Sequence, residues 1–283
     1  MAGAFGEPER RYFPHAGINV STFNNTTGKD EVVYSSEGQW TFIPKNWAGI
    51  YVDDTGSNII NNNIFLENNQ GILINSSNNN ILENNTAINN DGAISIWYSS
   101  DFNIVRNNKI SADEKCLMDK YGISLIESDC NDVYNNNLLK LDSITLLRSD
   151  ANKIVNNIIN FGGRGITLIE SNNNKLSCNS ISKSSNGIFL RENSNSNTLT
   201  DNTIFDNSVG IKLESCSNNN TIFENILKNS KDIYFSDGNN NNSIYKNKID
   251  YSKYLKRPYI SDIMMISISV IVMIYLFILR FRK

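Results

Sequence analysis

Histidine is nearly missing from this 283-residue sequence, where His15 is the only one. One imidazole cannot build a histidine-based copper or zinc site. It also excludes a histidine-dependent triad from any unit that lacks this residue. Cysteine is scarce as well. Cys116, Cys130, Cys178 and Cys216 form no Cys-x-x-Cys pair and are expected as isolated thiols at core or turn positions, with pairing across neighbouring repeats left open. Positive charge is not in excess: 26 Lys and Arg stand against 29 Asp and Glu, so no basic field marks a nucleic-acid binder. No nucleophile elbow or phosphate-binding glycine loop is visible. The first eleven residues, Met1 to Arg11, hold no apolar run of the signal-peptide kind. The expectation is that the true start lies upstream or that targeting depends on the other end. Finally, the i, i+3, i+4 spacing of an amphipathic helix is not sustained anywhere in residues 49–250.

What is present is asparagine, 49 residues of it, at regular intervals. The series Asn62, Asn84, Asn107, Asn136, Asn157, Asn179, Asn202, Asn225 and Asn247 has steps of 22, 23, 29, 21, 22, 23, 23 and 22 residues. Each member lies three residues after a branched apolar anchor, from Ile59 and Ile81 through Val133 and Ile154 to Ile244. A fixed period near 22 is the signature of a solenoid. Disordered Asn-rich tracts lack such spaced apolar residues.

A second series begins at a small or turn-permissive residue: Gly49, Gly71, Ala93, Gly122, Ser143, Gly165, Gly187, Gly210 and Asp232. Apolar residues follow at +1 and +3, as in Gly165-Ile166-Thr167-Leu168, which places both on one face of a strand. Ser or Thr recurs about six residues on, at Thr55, Ser77, Ser99, Ser128, Ser149 and Ser171. Three short strands and three corners fit one coil. The predicted fold is all-β, a right-handed single-stranded parallel β-helix of about nine coils of ~22 residues. Aligned asparagines would hydrogen-bond along the stack, and Asn tolerates the left-handed conformation that a sharp corner needs. Glycine is expected to supply the same freedom at its own ladder.

This pattern, across residues 49 to about 250, resembles the right-handed parallel β-helix repeat family, and within it the NosD-like group on the pectin-lyase-like solenoid. The resemblance implies a carbohydrate-associated surface or periplasmic protein. It does not single out an activity, because the scaffold hosts lyases, hydrolases, adhesins and structural proteins. NosD-like proteins are described as copper-associated, and a chain with one histidine departs from that.

The ends add further expectations. Residues 1–48 lack the period and read as an N-terminal cap or a truncated preceding coil, with Trp40, Phe42, Ile43, Pro44 and Trp47 next to the first clear coil. The solenoid is assigned to 49–250, a juxtamembrane linker to 251–262 and a transmembrane helix to 263–279. From Ile263 to Leu279 there are 17 consecutive uncharged residues, about 26 Å of helix, near the lower limit for a bilayer. A basic tail, 280–283, follows. Three positive residues on each side of the span give no orientation by themselves. The resemblance places the solenoid outside, extracellular or periplasmic, and the tail in the cytoplasm.

The period breaks once, between Ala93 and Gly122, where about seven extra residues are expected to bulge as a loop. In stacked coils, side chains at equivalent positions converge in columns, and candidate chemistry lies there. One column runs Asp54, Ser76, Tyr98, Glu127, Arg148, Glu170, Glu192, Ser215, Asp237, and holds the best carboxylate cluster. Glu127, Arg148, Glu170 and Glu192 are its weak catalytic candidates, with Glu170 and Glu192 as like-charged neighbours. Trp97 and Tyr98, beside Asp101, form a candidate sugar-binding patch. No cofactor is expected, apart from Ca²⁺ as an outside option at the carboxylates, and no metal site is assigned. The leading expectation is a non-catalytic, membrane-anchored surface protein that binds glycans or envelope components or acts structurally. Its alternatives are a polysaccharide lyase or hydrolase acting along the lateral groove, and a NosD-type accessory protein in metal-cofactor assembly.

Overall fold

The computed structural model describes the backbone of residues 11–12, 31–32, 39–40 and 42–43, and both backbone and side chains of 48–113, 120–236 and 238–249. From Ala48 onward each coil contributes one long strand and two short ones. The first three are Ala48–Asp53, Ile59–Asn61 and Ile64–Leu66. Equivalent strands of successive coils pair in parallel, strictly in chain order, to form three nine-stranded sheets. The chain is therefore an all-β parallel solenoid of about nine turns, and no helix occurs among the described residues. The apolar segment 263–279 lies outside them, as does its expected span. Before the solenoid, Arg11–Tyr12 pairs with Gln39–Trp40 and Glu31–Val32 with Phe42–Ile43, both antiparallel.

Four apolar side chains per coil point inward, because strand alternation sends every second residue to the core. In one coil these are Ile144 and Leu146 from the long strand, Ile154 from the second and Ile159 from the third, all at most 1% exposed. Their equivalents stack above and below in one continuous cluster.

The corners explain the asparagines. The buried ladder runs through Asn63, Asn85, Asn108, Asn136, Asn157, Asn179, Asn202 and Asn225, and ends at half-buried Asn247. Asn157 shows its working. Its Oδ1 accepts from the backbone N–H of Asn136 at 3.0 Å, and its Nδ2 donates to the Val133 carbonyl at 3.0 Å and to Asn179 Oδ1 at 3.1 Å. Each amide thus satisfies backbone groups of the preceding coil that the tight corner would otherwise leave buried and unpaired. Asn63 begins the ladder, and its Oδ1 has no partner among the described residues.

This corrects the register read from sequence. Asn62, Asn84 and Asn107 lie one residue before the ladder, in the left-handed conformation at φ of 58°, 56° and 57°. Asn favours both the left-handed corner position and the ladder position after it, so the doublets Asn62-Asn63, Asn84-Asn85 and Asn107-Asn108 look alike in sequence. The inward anchors decide: Ile60 and Leu82 are buried, whereas Ile59 is 39% exposed. A second ladder, Asn58 through Asn80, Asn103, Asn131, Asn152, Asn174, Asn197 and Asn220, buried from Asn80 onward, lies at the other end of the second strand, where the chain enters it from the long strand.

The serine ladder likewise passes through Ser100, which accepts from the Ser77 N–H at 3.0 Å, and not through exposed Ser99. Tyr98 and Ser99 are both left-handed, as are Glu192 and Asn193. The extra residue lengthens the ladder step there to 23, from 22 at Ser149 to Ser171. Glycine also has a different role from the one expected. Among the described glycines only Gly238 has positive φ. At Gly165 an added Cβ would lie 2.3 Å from the Gly187 carbonyl oxygen, so glycine is required by close backbone approach. The insertion falls between Ser111 and Tyr121, where nine residues, 112–120, replace the three, 89–91, of the preceding coil. Residues 114–119, with Cys116, lie outside the described residues.

Candidate functional site on the lateral face

The long-strand sheet presents an outer face on which side chains align in columns. Strand register aligns Asp53, Asn75, Trp97, Ile126, Leu147, Ile169 and Arg191 in one such column. Beside it runs a column at the middle of each strand: Tyr51, Leu73, Ser95, Ser124, Thr145, Thr167, Phe189, Lys212 and Tyr234.

The charged candidates sit on the corner just past this face. Glu127, Arg148, Glu170 and Glu192 all have left-handed backbones, with φ of 49°, 47°, 49° and 54°. Arg148 lies between its neighbours, with Nη1 2.7 Å from Glu127 Oε1 and Nε 3.6 Å from Glu170 Oε2. Glu192 instead meets Arg191 at 2.5 Å. The two like-charged neighbours, Glu170 and Glu192, are thus drawn to different arginines. All of these side chains are substantially exposed, so each pair stabilises the fold by at most about 1 kcal/mol.

Trp97 lies on the outer face and packs, with Tyr51, against buried Ala48 and Leu73. Its indole Nε1 is buried without a partner among the described residues. Tyr98 is 51% exposed on the corner and meets the indole edge-on, with ring centroids 6.2 Å apart. Asp101 belongs to a third, external ladder. Its backbone N–H donates to Asn78 Oδ1 at 2.6 Å, and its Oδ1 accepts from the Asp129 N–H at 2.7 Å. Asp150 and Asn172 continue the ladder. Asp101 therefore performs a corner role in the external ladder, while Trp97 and Tyr98 stay in ring contact with each other.

At the first coils the face is acidic and polar. Asn75 donates to Asp53 Oδ1 at 2.8 Å. Burial, the Asp53 charge and a hydrogen bond to Asp53 together push the Tyr51 phenol well above the usual tyrosine range. At the last coils the face turns cationic and aromatic. Lys212 Nζ lies 4.8 Å from the Phe189 ring centroid and 5.8 Å from that of Tyr234, and Lys231 Nζ lies 3.8 Å from Tyr234. Sequence reading missed this cluster, because it followed the corner columns and not the middle of the strand. On the second sheet, Phe102, Ile104, Cys130, Asp132, Ala151 and Lys153 line an open groove of about 430 Å³.

Cys130, Cys178 and Cys216 are free and occupy three different corner positions, preceding Asn131, Asn179 and Ser217. Among the described residues no three His, Cys, Asp or Glu side chains gather closely enough to hold an ion. His15 lies outside them. The described residues therefore do not fit a copper centre.

No curated protein matches the chain. Among solved structures, an alginate lyase from Paenibacillus sp. str. FPU-7 aligns at TM-score 0.57 and 12% identity, covering 72% of this chain and 76% of that one. The A-module of the mannuronan C-5 epimerase AlgE6 from Azotobacter vinelandii aligns at TM-score 0.52 and 14% identity, covering 73% of this chain and 62% of that one. A double mutant of the periplasmic alginate epimerase AlgG aligns at TM-score 0.49 and 18% identity, over 72% of this chain. This chain spans 48% of that epimerase's length. At these identities the shared property is the solenoid. The sequence profile of one family matches residues 13–140 and 116–261, nearly the whole chain. The chain therefore belongs to the NosD family, described as periplasmic copper-binding proteins.

Proposed function

We propose that this NosD-family solenoid is exported and binds an extended glycan along its lateral face without cleaving it. The observation that carries this reading is the pairing of Arg148 with Glu127 and Glu170, which leaves the best carboxylate cluster charge-compensated at an exposed corner. A hydrolase needs two free carboxylates across a scissile bond, and a lyase needs a base poised over the sugar ring. The face next to this column aligns side chains at the rung spacing, of which Tyr51, Ser124, Thr145, Lys212 and Tyr234 are half-buried and offer hydroxyl, aromatic and charged groups for binding. The family description favours the periplasm as the compartment. The uncharged run 263–279 would tether the solenoid to the membrane, with the basic tail in the cytoplasm.

The test is a panel of acidic and neutral polysaccharides assayed for binding and for cleavage, with and without Ca²⁺. Binding without new reducing ends or unsaturated products is expected, and Glu170→Gln should leave binding unchanged. Cleavage that disappears in Glu170→Gln or Glu192→Gln would replace this reading with the enzyme. Stoichiometric metal in the purified chain, required for function, would replace it with the accessory protein.

A further inference from the structure

Asn-x-Ser/Thr triplets, at which exported proteins take up N-linked sugar, begin at Asn75, Asn84, Asn219 and Asn241 in the described residues. In a chain with 49 asparagines such triplets arise by chance, and the fold separates them. Asn75 is half-buried at the end of a long strand, and its amide donates to Asp53 Oδ1 at 2.8 Å. The other three share one setting. Asn84, Asn219 and Asn241 are exposed corner residues with left-handed backbones, at φ of 56°, 56° and 55°. Their side-chain amides make no hydrogen bond among the described residues.

The middle residue of each of these triplets belongs to a ladder. Asn85, Asn220 and Asn242 donate to the carbonyls of Ile60, Ser194 and Ser217 at 2.9, 3.0 and 3.1 Å. Thr86, Thr221 and Ser243 then open the next strand. With the middle side chain turned inward, the acceptor amide before it and the hydroxyl after it face outward together. That pairing of amide and hydroxyl is what a sugar-transferring enzyme reads.

We propose that these corners are N-glycosylation sites, an assignment that rests on the exported reading above. At Asn84 the amide nitrogen bonds to C1 of the first sugar of a lipid-pyrophosphate-linked oligosaccharide. The bond from C1 to the phosphate oxygen breaks, the lipid pyrophosphate leaves and the amide gives up one proton. Asn219 and Asn241 form a pair: Thr221 and Ser243 are register partners, so the two acceptors stand one rung apart, about 4.8 Å. A pyranose with its hydroxyls is broader than that rung. Sugar on one acceptor therefore screens the other, and each chain carries at most one glycan at this pair. The same corner recurs without a triplet at Cys178, exposed at φ of 57° and followed by the ladder residue Asn179 and by Ser180. Cys178→Asn completes the triplet there.

The experiment is peptide mapping by mass spectrometry of the full chain purified from the cells that make it, with and without enzymatic release of N-linked sugar. Glycan is expected on Asn84 and on one of Asn219 and Asn241, with Asn75 bare. Thr86→Val should clear Asn84, Thr221→Val should move the second glycan wholly to Asn241, and Cys178→Asn should add one at the new corner. Labelling of the exposed thiols of Cys178 and Cys216 on intact cells by a membrane-impermeant maleimide reports export independently. Labelled thiols with Asn84, Asn219 and Asn241 all bare would overturn the glycosylation and leave export standing. Thiols that label only after lysis would remove both readings. Glycan on Asn75, glycan on Asn219 and Asn241 of one chain, or an unmodified corner in Cys178→Asn would overturn the rule that the corner geometry selects the site.

Discussion

Two adjacent asparagines in this chain have opposite energetic roles. Asn157 is fully buried and answers the backbone of the coil before it, whereas Asn156 is the left-handed corner residue at φ of 53°. Asn157→Ala strips the Asn136 N–H and the Val133 carbonyl of their partners and should cost about 2–4 kcal/mol by urea denaturation. Asn156→Gly keeps the corner conformation accessible and should stay within roughly 0.5 kcal/mol. Equal effects would show that the ladder amides are not what closes the corner. The same logic applies where the left-handed position holds a residue that dislikes it. Cys178, exposed at φ of 57°, should gain about 1 kcal/mol on substitution by Asn, read as a raised melting temperature. The period was legible in the sequence because both positions recruit asparagine. The register of the first three coils was not, because in Asn62-Asn63 only the inward direction of Ile60 separates corner from ladder.

At the scale of strands and corners, stacking converts a local preference into a column. Asp101, Asp129 and Asp150 occupy successive rungs of the external ladder, each using Oδ1 to accept the next backbone N–H. Asn78 and Asn172 make the same bond without charge. Asp129→Asn should therefore keep the hydrogen bond and relieve like-charge stacking, stabilising the chain by a few tenths to about 1 kcal/mol at neutral pH. The gain should shrink in high salt. A loss of stability would mean that the carboxylate does something the amide cannot. The Glu127–Arg148–Glu170 alternation was visible from sequence, since it needs only the repeat length and residue charge. What the arginine does to its neighbours needed side-chain geometry. The Phe189–Lys212–Tyr234 column was equally available in the letters, yet apolar–x–apolar patterning directs attention to the flanking core residues and away from the outward one between them.

On the scale of the whole solenoid, the repeat builds a uniform interior and leaves function to the departures on its outer face. Those departures are graded along the described coils, acidic around Asp53 and cationic around Lys212. The account stands or falls on a polymer being held and left whole. It is tested most directly by incubating the full chain with polygalacturonate, recovering the bound polymer by co-sedimentation and measuring its chain length by light scattering. The polymer should co-sediment with the wild-type chain and keep its starting length after prolonged incubation with Ca²⁺. A shortened polymer, or one that never sediments with the protein, would contradict it.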